Sequence, residues 1–248
     1  MTTVRRLAVT ATLLVVVLVG CLKLASDPRP VGSPGEEAEQ RANTFETAMG
    51  LDAWARTGAV TWTFAGRNTH LWDRERGLAR VEMGNTLALV DLGKVDGRAY
   101  RNGEELQGDA RLAAIKKAYA AWINDSFWLN PLAKLRDEGV TRTAVDWEGE
   151  KGLGISYGSG GLTPGDMYLW LPGGPDGLPG MWRMWVSIIP VGGLSTTWEG
   201  WVTLSTGVHI STTHTFPGGI VLRLTDVAGA TTLAELVPGA DPFAPLFE

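Results

Sequence analysis

One long helix is predicted in the middle of the chain, within residues 109–131. Apolar residues recur there at steps of three and four, at Leu112, Ile115, Tyr119 and Trp122. This spacing gives the helix one apolar face, which must pack against another element. Pro131 prevents the helix from continuing. We predict that residues 109–137 form a helical insert that covers a sheet as a lid.

Short runs with a period of two flank this insert on both sides and predict β-strands. Val60, Trp62 and Phe64 alternate with threonines, and Asn102-Gly103 is a strong signal for a tight turn. The close spacing, without crossover helices, indicates antiparallel pairing. A first helix is predicted at residues 36–49. The pattern predicts an α+β fold with a strongly curved antiparallel sheet, a half-open barrel of about 10–11 strands covered by helices.

The first twenty residues have the pattern of a signal peptide. Arg5 and Arg6 are basic, residues 7–20 are apolar, and small residues precede Cys21. Residues 18–21, Leu-Val-Gly-Cys, resemble the bacterial lipobox, in which the cysteine becomes the lipidated first residue of the mature protein. The alternative is an uncleaved anchor, but the apolar run falls short of the ~20 residues that a spanning helix needs.

The lipobox resemblance implies a protein of the bacterial cell envelope, attached to a membrane through lipidated Cys21. Leu22, which stands where aspartate would retain a lipoprotein, favours the outer membrane with the domain facing the periplasm. Residues 21–35 are predicted to form a tether. Its part at 26–35, SDPRPVGSPG, is rich in Pro, Gly and Ser and could reach ~30 Å when extended. Residues 36–248 are long enough for one domain with a substantial core.

Composition and charge argue against several classes of site. The net charge is −5 over 248 residues, whereas nucleic-acid binding needs clustered Lys and Arg. Cys21 is the only cysteine, so neither a disulfide framework nor a thiolate metal site is expected. His70 and Asp73 are three residues apart on a predicted strand and point to opposite faces, which argues against a catalytic dyad of the two. We predict no metal site and no cofactor, and the sequence leaves the oligomeric state open.

Two short motifs are similar to catalytic motifs. Gly154, Ser156 and Gly158 have the spacing of a hydrolase nucleophile elbow, but glycines and a proline follow where that chemistry needs a helix. The triplet Asn-Asp-Ser at 124–126 is interpreted as polar capping at the end of the central helix. Neither motif predicts an enzyme, and no catalytic residue is assigned.

Three blocks of the chain carry a resemblance to a known superfamily. They are residues 62–82, 123–140 and 167–185, which read WTFAGRNTHLWDRERGLARVE, INDSFWLNPLAKLRDEGV and MYLWLPGGPDGLPGMWRMW. The blocks look like an uncharacterised bacterial lipoprotein family, and the mature chain resembles the LolA/LolB-like lipoprotein-carrier superfamily in pattern. The resemblance implies a curved antiparallel sheet with helices in its concave face and space for acyl chains. It does not assign the carriers' functional residues to positions in this chain.

Aromatic residues on the predicted strands and on the lid are candidates for an apolar ligand-binding cavity. The set comprises Trp62, Phe64, Trp72, Trp122, Phe127, Trp128, Trp170 and Trp185. The alternative for any one of them is a filled aromatic core. Leu178, in the loop before a strand predicted at 181–190, is a candidate contact for a membrane or a partner, unless it tucks under its loop.

The sequence leaves three functions open. The first is a non-catalytic, lipid-anchored envelope protein that binds a lipid or lipoprotein acyl chains between sheet and lid. The second is a carbohydrate-binding or carbohydrate-cleaving envelope module, which needs exposed tryptophan faces and two carboxylates within ~10 Å, from Asp125, Asp166 and Glu199. The third is a scaffold with a filled core.

Overall fold

Antiparallel strands make up most of the structure, a computed structural model that describes residues 26–159, 163–174 and 176–248. Cys21 and the predicted signal peptide lie outside the described residues. The first sheet has eight strands. From edge to edge they are β14 (Thr213–Thr215), β15 (Val221–Ala230), β1 (Ala59–Phe64), β2 (Asn68–Asp73), β3 (Leu78–Met83), β4 (Thr86–Asp91), β5 (Asp96–Arg101) and β6 (Glu104–Glu105).

The second sheet has five strands and carries the candidate site. They are β11 (Leu194–Thr197), β10 (Pro179–Trp185), β9 (Met167–Pro172), β8 (Glu150–Tyr157) and β7 (Val140–Trp147). A separate pair consists of β12 (Val202–Thr203) and β13 (His209–Ile210). An isolated antiparallel bridge between Glu199 and Thr213 brings the chain after β11 against β14 of the first sheet.

The prediction of a mainly antiparallel α+β fold is confirmed, with differences in detail. The described residues form fifteen strands, more than the 10–11 expected. Three of them, β6, β12 and β13, are two residues long and too short to show a period of two. The strand predicted at 181–190 ends at Trp185, and residues 186–193 form a loop instead.

Four α-helices and two 3-10 helices pack on these sheets in the described part of the chain. They are α1 (Glu36–Met49), α2 (Leu51–Arg56), α3 (Gly108–Leu129), α4 (Leu233–Leu236) and the 3-10 segments Pro131–Lys134 and Ala244–Phe247. The triplet at 124–126 lies inside α3, so the capping interpretation is wrong, and Asn130 ends the helix instead. None of the described helices is both long and apolar enough to cross a membrane.

The first half of α3 lies on strands β3 to β5. Ala114, Ile115 and Ala118 of the helix are buried against small and branched side chains of the sheet, which are Ala79, Val81, Ala88, Val90 and Ala99. Register places Val81 opposite Ala88, and Ala88 opposite Ala99, so these residues share one face of the sheet. Alanines on both surfaces let the helix approach the sheet closely, which sets the position of its second half.

The opposite face of the first sheet is covered by the C-terminal residues. Phe243 is fully buried against Leu71, Leu78 and Leu89, although a core residue is not expected from the pattern of a proline-rich tail. The first sheet is therefore covered on both faces, by α3 on one and by the C-terminal segment on the other.

The described part of the predicted tether lies against the second sheet. The amide of Asp27 donates to the Gly192 carbonyl at 3.0 Å, and the indole nitrogen of Trp185 donates to the Asp27 carbonyl at 2.8 Å. Further along, Ser33 pairs with Ala144 at the edge strand β7. The described residues before α1 are therefore held to the domain at two places.

Candidate functional site

A groove of about 290 Å³ lies between the end of α3 and one end of the second sheet. The helix contributes Ile123, Phe127 and Trp128 to it. Antiparallel pairing brings the start of β7, the end of β8, the start of β9 and the end of β10 to the same end of the sheet. These strand ends and the loop after β10 contribute the other apolar and aromatic lining residues, Val140, Tyr157, Tyr168, Trp182, Met184, Val186, Ile188 and Ile189.

Aromatic rings form the floor of the groove. Phe127 packs on Tyr168 with ring centroids 5.2 Å apart, and Trp128 packs edge-on against Trp182 at 4.8 Å. Beneath Trp182 lie Trp170 and Trp198, at 5.0 and 4.9 Å from it. Because Trp170, Trp182 and Trp198 are almost fully buried, the floor is a rigid aromatic layer and not an open surface.

Polar groups stand at the rim of the groove. Lys134 pairs with Asp137 at 3.0 Å, and Glu138 lies beside them. Asp166 is buried, and its carboxylate accepts hydrogen bonds from the Ser187 amide at 2.9 Å and from the Thr163 hydroxyl. The arrangement combines an apolar interior with a polar edge, as in many small-molecule sites.

Two tyrosines bring neutral hydroxyl groups to the groove. Burial raises the pKa of Tyr157 well above its ordinary value. Burial, with a smaller contribution from the charge of Asp166, also raises the pKa of Tyr168. Both phenols therefore stay protonated at physiological pH. The Tyr157 hydroxyl donates to the Pro131 carbonyl at 3.5 Å, so the hydroxyl of Tyr168 is the one that offers a donor to a polar group.

Two of the eight aromatic candidates, Phe127 and Trp128, line the groove. Trp62 is fully buried beneath His70, stacked at 4.5 Å. Trp72 packs on Trp122 at 5.1 Å. The remaining candidates outside the groove lining are Phe64, which packs in the core of the first sheet, Trp170, which lies behind Trp182, and Trp185, which faces Trp147 on the other side of the second sheet.

Leu178 lies at the opposite end of β10 from the groove. It is half-buried and packs against the core of the second sheet. The more exposed apolar side chain of this hairpin is Ile188, in the loop that follows β10, with 72% of its surface accessible. Ile188 was not predicted as a contact, because the apolar run at 181–190 predicts a strand through that position.

A buried polar cluster joins α3 to the first sheet. His70 donates from Nε2 to the carboxylate of Asp125 at 2.7 Å, and Asn68 donates to the same oxygen at 2.8 Å. The partner of His70 is thus Asp125 on α3, while Asp73 binds Arg76 instead. The sequence carried a signal for this contact, because Asp125 is a lone acid within an apolar helical stretch.

The structure gives no support to the hydrolase motif. Ser156 lies within β8, paired with Thr141 on one side and Met167 on the other, so it is not on the turn before a helix that a nucleophile elbow needs. Asp125 and Asp166 are both buried and hydrogen-bonded, and Glu199 is exposed. Among the described residues, no group of three or more His, Cys, Asp or Glu side chains is arranged to hold a metal ion.

No protein-family model matches the chain, and no curated protein matches it. Three solved structures are similar over most of its length. A DUF1329 family protein from Desulfovibrio piger has 8% identity and a TM-score of 0.40, covering 82% of this chain and 98% of its own. A LolA superfamily protein from Nitrosomonas europaea has 12% identity and a TM-score of 0.31, and the match covers 74% of this chain and 92% of that protein.

The third structure is a domain from Vibrio parahaemolyticus named for outer membrane lipoprotein sorting. It has 8% identity and a TM-score of 0.34, covering 83% of this chain and 95% of its own. The LolA superfamily, which the sequence resembles, is also the superfamily of the protein from Nitrosomonas europaea. At these identities and TM-scores the likeness is a distant one of fold.

Proposed function

We propose that this protein is a non-catalytic binding protein of the bacterial envelope that holds one apolar chain, such as the acyl chain of a lipid, in the groove beside α3. The observation that carries the proposal is the apolar groove of about 290 Å³. In this proposal the end of α3 acts as the lid, and the strand ends of the second sheet, together with the loop after β10, form the wall.

The size of the groove limits the ligand. A volume of about 290 Å³ is at the lower end of the ~300–1,000 Å³ found for small-molecule sites. A methylene group takes roughly the ~30 Å³ that a water molecule takes in the liquid, so about ten of them fit. The groove therefore suits one acyl chain of moderate length. It is too small for all the chains of a lipoprotein anchor unless α3 moves.

The expected affinity is modest. Burial of about ten methylenes stabilises the complex by ~8 kcal/mol, and loss of translational and rotational freedom offsets about half of this or more. The neutral hydroxyl of Tyr168 could add a hydrogen bond to a carboxylate or ester group. Reversible loading and release are the consequence, which agrees with a protein that carries or presents a lipid.

Membrane attachment through Cys21 completes the proposal. The lipobox pattern at residues 18–21 supports it, and Leu22 supports the outer membrane with the domain in the periplasm. The binding domain would then stay close to a bilayer that supplies or receives the apolar chain.

Native mass spectrometry of the full chain purified from bacterial envelopes tests the binding proposal. We expect one non-covalently bound lipid in addition to the mass of the lipid attached to Cys21. Titration of delipidated protein with a brominated fatty acid should quench tryptophan fluorescence, because Trp128 and Trp182 line the groove, while a glycan should not. Absence of bound lipid together with no quenching by the fatty acid would contradict the proposal.

A further inference from the structure

The first described residues are bound at the same end of the second sheet as the groove. The Ser26 hydroxyl accepts a hydrogen bond from the Gly192 amide at 2.6 Å, and Asp27 pairs with Arg183 and with the Gly192 carbonyl. Gly192 belongs to the loop 186–193, which also supplies Ile188 and Ile189 to the groove. The path of the chain toward Cys21 therefore leaves the domain at the end of the second sheet where the groove lies, from the face of Arg183 and Trp185. Trp182 and Met184, which line the groove, are on the other face.

The distance from Ser26 to Cys21 is short. Cys21 lies five positions before Ser26, and five steps between successive Cα atoms reach at most ~18 Å. Strand β10 has seven residues and spans ~23 Å. A lipid on Cys21 therefore cannot hold the domain far from the bilayer. The end of the second sheet that carries Gly192 is drawn toward the membrane, and the end that carries Leu178 points away from it.

The loop at this end has the chemistry of a lipid contact. Residues 186–193, Val-Ser-Ile-Ile-Pro-Val-Gly-Gly, include no charged side chain. Ile188 is 72% exposed while its neighbour Ile189 is half-buried in the core. The exposed guanidinium of Arg29, which donates to the Trp185 carbonyl at 3.3 Å, lies near the same end and suits a phosphate headgroup.

We propose that the loop 186–193 rests on the lipid surface, with Ile188 inserted among the acyl chains, so that the groove opens onto the same membrane to which Cys21 is attached. This proposal depends on the lipid anchor in the proposed function. The partner is the bilayer surface. A ligand chain could then pass between membrane and groove past Ile188 without crossing water.

Depth-dependent fluorescence quenching tests this orientation. Cys21 is the only cysteine, and lipidation blocks its thiol, so the full lipidated chain with Ile188→Cys carries one site for a fluorophore. The matched control is Asp176→Cys, exposed in the loop at the opposite end of β10. Both proteins are reconstituted in vesicles of phosphatidylethanolamine and phosphatidylglycerol that contain nitroxide-labelled acyl chains.

We expect the nitroxide lipids to quench a label at position 188 at least threefold more than one at position 176. Equal quenching, or stronger quenching at 176, in protein whose Cys21 is lipidated would overturn the proposed orientation and leave groove binding intact. Conversely, strong quenching at 188 together with failure of the unlabelled wild-type protein to bind the fatty acid would overturn the binding function alone. A free thiol at Cys21, detected by mass and by double labelling, would overturn the anchor and with it the orientation.

Discussion

The imidazole Nε2 of His70 lies 2.7 Å from a carboxylate oxygen of Asp125, and both side chains are buried. His70 belongs to β2 and Asp125 to α3, so this hydrogen bond joins the helix to the first sheet. Asn68 and Asn124 also donate to the same carboxylate. Rotation of α3 would leave buried His70 and Asp125 without each other as partners, so the cluster fixes which side chains of the helix face the groove.

Removal of the carboxylate with Asp125→Ala should lower the free energy of unfolding by ~3 kcal/mol, because the buried imidazole and amide groups lose their acceptor. Urea unfolding followed by circular dichroism measures this. Asp109→Ala, at an exposed position in the first turn of the same helix, should cost less than ~1 kcal/mol. Similar losses for the two variants would show that the cluster does not fix the helix.

Stability should depend on pH through His214. Burial lowers the pKa of His214 to about 4 from its ordinary value of 6.5, so the folded protein keeps this imidazole neutral while the unfolded chain protonates it. Its contribution to stability is therefore fully present above pH 6.5 and is lost as pH falls from 6.5 toward 4, by ~3 kcal/mol in total. Urea unfolding from pH 7 to pH 4 measures the slope.

His214→Phe should flatten this part of the pH profile, since the ring contacts with Trp128 and Trp198 can be retained while the titrating group is gone. His209→Asn, at a half-buried position in β13, is the control and should keep the wild-type slope. A slope that stays the same in His214→Phe would assign the pH dependence to other groups.

A glycine in β5 sets the spacing between β4 and β5. A Cβ atom added to Gly97 would lie 1.9 Å from the Leu89 carbonyl oxygen, which is backbone and cannot move aside cheaply. Gly97→Ala should therefore destabilise the protein by about 2–3 kcal/mol. Gly93→Ala is the control, since the added atom meets only the Asp91 carboxylate at 3.5 Å. Thermal unfolding should show a lower Tm for the first variant and little change for the second.

The strands and the central helix were predictable because each repeats a local pattern. The alternation at Val60, Trp62 and Phe64 forms β1, and the spacing from Leu112 forms α3, although Leu112 itself is 41% exposed. Of the other predicted positions, Ile115 is fully buried, and Tyr119 and Trp122 pack against the same cluster. Ala114 and Ala118 supply the rest of the apolar face. The small size of the alanine side chains explains their position on this face, because only small residues allow the helix to lie close to a sheet surface that is itself rich in alanine.

The candidate site was harder to predict, because it depends on which strand ends meet. Tryptophans are frequent in the core and in the groove alike, so residue type did not separate Trp128, which lines the groove, from Trp62, which is fully buried. The pairing of His70 with Asp125 joins residues 55 positions apart, and no period in the sequence encodes that distance. The loop 186–193 was not predicted, because the apolar run at 181–190 continues beyond the end of β10 at Trp185.

Filling the groove should weaken ligand binding without unfolding the protein. Val140 lines the groove at the start of β7 and is half-buried, so Val140→Trp places a large ring where the apolar chain would lie. We expect the Kd for a fatty acid to rise at least tenfold, ~1.4 kcal/mol of binding free energy. Val221→Trp is the control, because Val221 is 41% exposed on β15 and is not part of the groove lining. If both variants bound the fatty acid as tightly as the wild type, with unchanged thermal unfolding, the ligand would have to lie outside this groove.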